Sequence, residues 1–148
     1  MFESVPVSVK VLRPGAALPK NMSSGAAGAD VTACLGEPLV LEPGQRKLVP
    51  TGLAVAIPDG FEIQVRPRSG LAAKKGLTVL NTPGTIDCDY RGEVQVLLAN
   101  FGDAPVAIEP GERIAQWLWP RVPRAAGQEV PELPETTRGS GGFGSTGV

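Results

Sequence analysis

Histidine is missing from all 148 residues. Its absence excludes Ser-His-Asp and Cys-His nucleophile systems, and with them His-ligated zinc and haem. Cysteine is scarce. Cys34 and Cys88 form no CxxC pair; their spacing leaves a disulfide open, but the plain reading is two reduced thiols in a cytosolic protein. No stretch approaches ~18 consecutive apolar residues, the length that would suggest a membrane span. The opening MFESVPVSVKVLRPG has neither a long apolar run nor a cleavage signature, so no secretion signal is expected. An excess of one charge is lacking too. A net charge of −1 offers no broad basic face to displace phosphate counterions, which argues against bulk nucleic-acid binding. A small polyanion held by a few local Arg and Lys residues remains compatible with it.

What is present is enough for one domain, which at this size buries roughly 68–70% of its unfolded surface. The 42% apolar content can supply a core. Nineteen glycines and fifteen prolines stay just short of the ~25–30% at which low-complexity disorder becomes the default. The dominant period is two. Apolar and polar residues alternate through Phe61-Glu62-Ile63-Gln64-Val65-Arg66; Val94, Val96 and Leu98 share a face, as do Val106 and Ile108, and Val5, Val7, Val9 and Val11. Ile114, Gln116 and Leu118 are expected to share another. Turns punctuate these runs at Pro14-Gly15, Glu42-Pro43-Gly44, Pro58-Asp59-Gly60, Pro83-Gly84 and Glu109-Pro110-Gly111. Many short strands with such turns predict an all-β sandwich or barrel. One short helix is expected, with Ser69 as its N-cap, Leu71–Lys75 as its body and Gly76 as its stop. After Trp119 the pattern is lost. The chain divides into a β-rich core over 1–119, an extended connector with four prolines over 120–137, and a glycine-rich tail over 138–148.

Five segments carry candidate chemistry. Arg66-Pro67-Arg68-Ser69-Gly70 brings two arginines to a helix start, suited to phosphate; taken alone, it is better read as a capped helix beside solvated arginines. Asn81-Thr82-Pro83-Gly84-Thr85-Ile86-Asp87-Cys88-Asp89-Tyr90-Arg91-Gly92 holds two acids and a tyrosine. In a chain without histidine an acid here is a candidate general base, although aspartates also simply decorate turns. The tail RGSGGFGSTGV sets Arg138 for phosphate and Phe143 for a base, or is a loose terminus; no Gly-Lys-Ser/Thr follows its glycines, so it is not a P-loop. Asp30 ends a small-residue loop, either as a turn residue or as a carboxylate holding a metal-bound water. Gln116, on an expected apolar face, must be a buried hydrogen-bonder or a ligand contact.

In order and spacing, AGAD at 27–30, RPRSGLA at 66–72, NTPGTIDCDYRGE at 81–93, GERIAQ at 111–116 and RGSGGFGSTG at 138–147 closely resemble the five motifs of the trimeric dUTPase family. The resemblance implies a distorted jelly-roll or barrel-like subunit with one short helix, and a cytoplasmic homotrimer whose sites draw on all three chains. It implies hydrolysis of dUTP to dUMP and pyrophosphate, lowering dUTP and supplying dUMP for thymidylate synthesis. Asp87 would be the general base that activates water for in-line attack on the α-phosphorus. Asn81, Thr85, Ile86 and the backbone to Asp87 would hold uracil, with Gln95 closing the slot. Tyr90 would pack on deoxyribose where a 2′-hydroxyl would clash. Arg68, Ser69, Gly70 and Gln116 would hold phosphates; Arg138, Ser145 and Thr146 would close on the β/γ end, and Phe143 would cover the base. Mg²⁺ would be chelated by the triphosphate itself, with Asp30 acting only through water, as suits an ion that dehydrates reluctantly. The chain departs from the family pattern in Val31, where leucine is frequent, and in Ser145, where some members have histidine.

Two rival readings share part of the pattern. A dCTP deaminase has the same fold, but such chains tend to be longer and use a glutamate at the base-modifying site. A catalytically silent nucleotide-binding trimer is disfavoured by the presence of both Asp87 and the full tail.

Overall fold

The period-two segments become strands in the computed structural model, which describes residues 3–147. Met1, Phe2 and Val148, the ends of the expected core and tail, lie outside the described residues. In chain order come β1 (Ser8–Val11), β2 (Ala29–Thr32), β3 (Leu39–Leu41), β4 (Arg46–Ala56), β5 (Ile63–Arg66), α1 (Ser69–Lys75), β6 (Leu77–Val79), β7 (Gly84–Ile86), β8 (Glu93–Asn100), β9 (Val106–Ile108) and β10 (Arg113–Leu118). Two antiparallel four-stranded sheets, ordered β1-β4-β8-β6 and β2-β10-β5-β7, are joined by a small β3-β9 ribbon. The architecture is jelly-roll-like, and neither sheet closes into a barrel.

Both sheets turn their inward residues to one core. Val49, Val79, Val96 and Leu98 from the first sheet meet Val31, Ile63, Val65 and Trp117 from the second, with Leu41 and Ile108 from the ribbon. Trp117 is fully buried and stacks edge-on against Trp119 at 6.0 Å between centroids. Among the described residues no helix is long and apolar enough to cross a membrane.

Two irregularities interrupt the regular strand pairing. In β4, Pro50 pairs with Gln95 and Ala54 with Glu93, so Thr51, Gly52 and Leu53 face the single residue Val94. This bulge is held by side chains: the Thr51 hydroxyl donates to the Val94 carbonyl at 2.6 Å, and the Gly52 N–H donates to Glu93 Oε1 at 2.8 Å. Gly52 has φ +70°, a conformation side chains resist. In β10 the register with β2 shifts between Arg113 and Ala115. The shift corrects the expected face. Ile114, Ala115 and Trp117 are the buried residues, while Gln116 and Leu118 are only half-buried and alternate with the core positions.

The helix also departs from expectation at its start. Ser69 is its first residue rather than its cap; the capping position is Arg68, in extended conformation and with no side-chain cap bond. The serine hydroxyl is therefore free of that duty. The C-terminal end matches expectation: Gly76 is left-handed at φ 66°, and its N–H bonds back to the Leu71 and Ala72 carbonyls.

Candidate active site

The segment after β7 turns tightly before entering β8. The Tyr90 N–H donates to the Asp87 carbonyl at 3.1 Å, and Arg91 Nη1 folds back onto the Cys88 and Tyr90 carbonyls at 2.7 and 3.0 Å. The Tyr90 hydroxyl donates to the Glu93 carbonyl at 3.0 Å. This hairpin walls a cleft of about 490 Å³ lined by Leu48, Thr85, Ile86, Asp87, Tyr90, Glu93, Val94 and Gln95. Of the residues expected at the base and sugar, it unites Thr85, Ile86, Asp87, Tyr90 and Gln95. Asn81 stands just outside, against Gly84: a side chain on that glycine would come within 3.2 Å of the Asn81 amide nitrogen. Leu48, Glu93 and Val94 are lining residues that the sequence did not mark. The alternation of β8 was a usable signal for Glu93, because it shares a face with Gln95.

Asp87 opens on the cleft as an exposed carboxylate. On its other side Cys88, Asp89, Glu62 and Arg124 border a smaller hollow of about 290 Å³. Glu93 Oε1 accepts a 2.5 Å bond from Arg13 as well as the Gly52 N–H. That bond to Glu93 raises the Arg13 guanidinium above its ordinary pKa.

A second group gathers at β2, the opposite edge of the sheet that ends in β7. Asp30 Oδ2 receives Arg113 Nη1 at 3.1 Å and Arg68 Nε at 3.4 Å. Arg68 Nη1 also reaches the Arg113 carbonyl at 3.3 Å. Gln116 pairs with Asp30 across the strands and donates its amide to the Pro67 carbonyl at 3.1 Å. Gly28 makes room for it, since a Cβ there would lie 2.4 Å from Gln116 Oε1. Ser69 and Gly70 are exposed beside this group at the start of α1. AGAD, RPRSGLA and GERIAQ thus converge through β2, α1 and β10.

The two groups are far apart in one chain. Asp87 continues β7 opposite Glu62, and Asp30 lies on β2 opposite Gln116. Three strand spacings across and four residues along separate them, roughly 20 Å corner to corner.

The tail joins neither group. Its bonds are internal: Arg138 Nε donates to the Gly141 carbonyl at 2.8 Å, Ser145 N–H to Gly142 and Gly147 N–H to Gly144. Phe143 is fully exposed, and Arg138, Ser145 and Thr146 are exposed. Among the described residues, no hydrogen bond ties 123–147 to the rest of the fold. Cys34 and Cys88 are both free thiols.

Known proteins match this arrangement along nearly its whole length. The dUTPase family profile matches residues 15–147. Deoxyuridine 5′-triphosphate nucleotidohydrolases of Chlamydia trachomatis serovar L2 and Treponema denticola are 55% and 56% identical to the chain over 137 residues. They cover 92% and 93% of it, and 94% and 95% of their own lengths are matched. The dUTPase of Staphylococcus bacteriophage 80alpha, solved with dUPNHPP, superposes with a TM-score of 0.87 at 29% identity, over 97% of this chain and 99% of that one.

Proposed function

The chain belongs to the dUTPase family and hydrolyses dUTP to dUMP and pyrophosphate, and we propose a division of labour among its residues. The observation that carries the proposal is the cleft that unites Thr85, Ile86, Asp87, Tyr90 and Gln95. Backbone groups from Thr85 to Asp87, with Asn81 behind them and Gln95 opposite, read the uracil edge. Packed against uracil C5, the wall between β7 and β8 would exclude a thymine methyl. Tyr90 closes the sugar side, where a ribose 2′-hydroxyl would collide with its ring.

Asp87 is the general base. Its carboxylate takes a proton from a water, the water oxygen bonds to the α-phosphorus, and the bond from that phosphorus to the bridging oxygen breaks, releasing pyrophosphate. In a chain without histidine a carboxylate is a suitable acceptor, and a positioned base contributes about 10²–10⁴-fold to rate. Arg68, Ser69, Gly70 and Gln116 hold the phosphates; arginine suits them through its bidentate fork.

Members of the family generally use Mg²⁺. Among the described residues no three His, Cys, Asp or Glu side chains gather to hold a metal. Both arginine contacts of Asp30 fall on Oδ2, so this carboxylate is suited to an outer role, reaching through water an ion carried by the triphosphate. Bound in that way, such an ion would supply charge neutralisation on the phosphates.

A homotrimer with shared sites completes the proposal. The separation of roughly 20 Å between Asp87 and the Asp30–Arg68–Gln116 group supports assembly of one site from two chains. The connector over 120–137 supports delivery of Arg138, Phe143, Ser145 and Thr146 from a third. Two free thiols support a cytoplasmic location. The primary assay is product release from dUTP: pyrophosphate and dUMP in equal amounts without ammonia support the reading, whereas ammonia release would indicate deamination instead.

A further inference from the structure

Arg13 and Glu93 carry no step of the proposed reaction, yet Glu93 lines the cleft and Arg13 is bound to its carboxylate. The Glu93 carboxylate accepts two donors from different parts of the chain, Arg13 from the segment after β1 and the Gly52 N–H from the β4 bulge. The Glu93 backbone carbonyl accepts the Tyr90 hydroxyl. Gly92 lets the ring fold back to make that bond: a Cβ there would lie 2.4 Å from the Tyr90 oxygen and 2.6 Å from Cζ. The bonds from Tyr90 N–H to Asp87 and from Arg91 to Cys88 and Tyr90 are internal to the tip and set its shape. Outward it has a long contact from Cys88 Sγ to Asp59 Oδ1 at 3.7 Å, on the side away from the cleft, and the Tyr90 bond to Glu93 on the cleft side. The chain of contacts Arg13–Glu93–Tyr90 ties it to the sheet.

We propose that Glu93, anchored by Arg13, is a positioning residue for sugar discrimination: it fixes the carbonyl that holds Tyr90, and so the distance between the Tyr90 ring and the 2′ carbon of the bound nucleotide. This rests on the reading of Tyr90 as the sugar wall. A steric filter works only while the wall cannot retreat, and a functional group must be held to about 0.5 Å by its supporting contacts. The ion pair is well placed for such a role and poorly placed to stabilise the fold. The Arg13 side chain is 40% exposed, so removing its half of the pair costs the fold little, while Glu93, at 22%, still accepts the Gly52 N–H. The pair's effect is therefore read in selectivity rather than in melting temperature.

The test compares kcat/KM for dUTP and for UTP in the full-length variants Arg13→Gln, Arg13→Lys, Glu93→Ala and Tyr90→Ala, each with a thermal melt. A pocket that rejects an added hydroxyl by shape alone achieves about 10²-fold. Arg13→Gln should lose roughly tenfold of that ratio, through a lower KM for UTP, with kcat for dUTP almost unchanged; Glu93→Ala, which also removes part of the cleft wall, should lose at least as much of it. Arg13→Lys should restore most of it. A purely structural role would lower the melting temperature and the active fraction but leave the ratio intact. An unchanged ratio in Arg13→Gln overturns the proposal, and that surface variant remains informative should Glu93→Ala fail to fold. Tyr90→Ala separates the two levels. If it lowers the ratio and Arg13→Gln does not, the clamp alone is wrong; if it leaves the ratio unchanged, the sugar wall is wrong and the clamp falls with it.

Discussion

Mixing two inactive chains tests the shared site quantitatively. One chain lacks residues 138–148; the other carries Asp87→Asn. Each keeps Arg68, Gln116 and Asp30, so each is defective in one component only. A water held by Asp87 lies within a hydrogen bond of its carboxylate, with the α-phosphorus just beyond. At roughly 20 Å, the Asp30–Arg68–Gln116 group of the same chain falls well short of the phosphates of that nucleotide. The connector imposes no such limit, since eighteen extended residues span up to ~60 Å. If Asp87 and the tail at one site come from different subunits of a closed trimer, random reassortment gives each site an intact Asp87 half the time and an intact tail half the time. About a quarter of wild-type pyrophosphate release should then return at equal mixing, passing through a maximum at that ratio. Exchange is verified by mass-tagged chains in native mass spectrometry, and release is followed with a coupled phosphate assay. Activity that stays at the sum of the two parents after complete exchange would refute the reasoning, because it would mean that one chain supplies both groups.

Other outcomes rest on single features. Asp87→Asn should lower kcat for dUTP by about 10²–10⁴-fold while substrate binding, measured by calorimetry, stays largely intact; near-normal turnover would remove Asp87 from the chemistry. Chelation of divalent ions should suppress turnover, and Mg²⁺ should restore it, with the thermal melt unmoved, because no residue cluster among those described could hold a structural ion. A large drop in melting temperature with chelator alone would contradict this. Gly76→Ala combines a left-handed φ of 66° with a Cβ 2.5 Å from the Gly102 backbone nitrogen. A backbone neighbour cannot swing aside, so a loss of at least ~2 kcal/mol in denaturant unfolding is expected; a wild-type transition would show that the α1–β6 junction is slack.

The strands that alternate cleanly were legible in the sequence. Ile63 and Val65, Val94, Val96 and Leu98, and Val106 and Ile108 are all buried as their spacing indicates. The longest strand, β4, was not legible, because Pro50 and Gly52 interrupt its middle and read as breakers. Only the partner strand, with Thr51 and Glu93 binding the bulge, turns those residues into part of a sheet. Gln116 was assigned to a shared apolar face for a similar reason: a register shift in β10 is invisible in the alternation it breaks. At the site, the resemblance to the dUTPase motifs pointed to Thr85, Ile86, Asp87, Tyr90 and Gln95, which do converge. Local sequence carried no sign of the distance between Asp87 and Asp30. That distance is a property of strand order, set by β5 and β10 standing between β7 and β2.

The β4 bulge constrains how this chain can lose residues. Three residues face one across it, so the insertion is even-numbered and preserves parity: Val49 before it and Leu53 and Val55 after it all point into the core. Deleting Thr51 or Gly52 alone would turn every later side chain of the strand to the opposite face, carrying Leu53 and Val55 off the core side. Deleting both would keep the faces in order, yet would remove the hydroxyl bound to Val94 and the N–H bound to Glu93. Shortening by one residue is thus a folding defect. Shortening by two leaves a sheet that can still pack, at the expense of the support beneath the cleft, so the bulge can be dropped only as a pair and only where that support is dispensable.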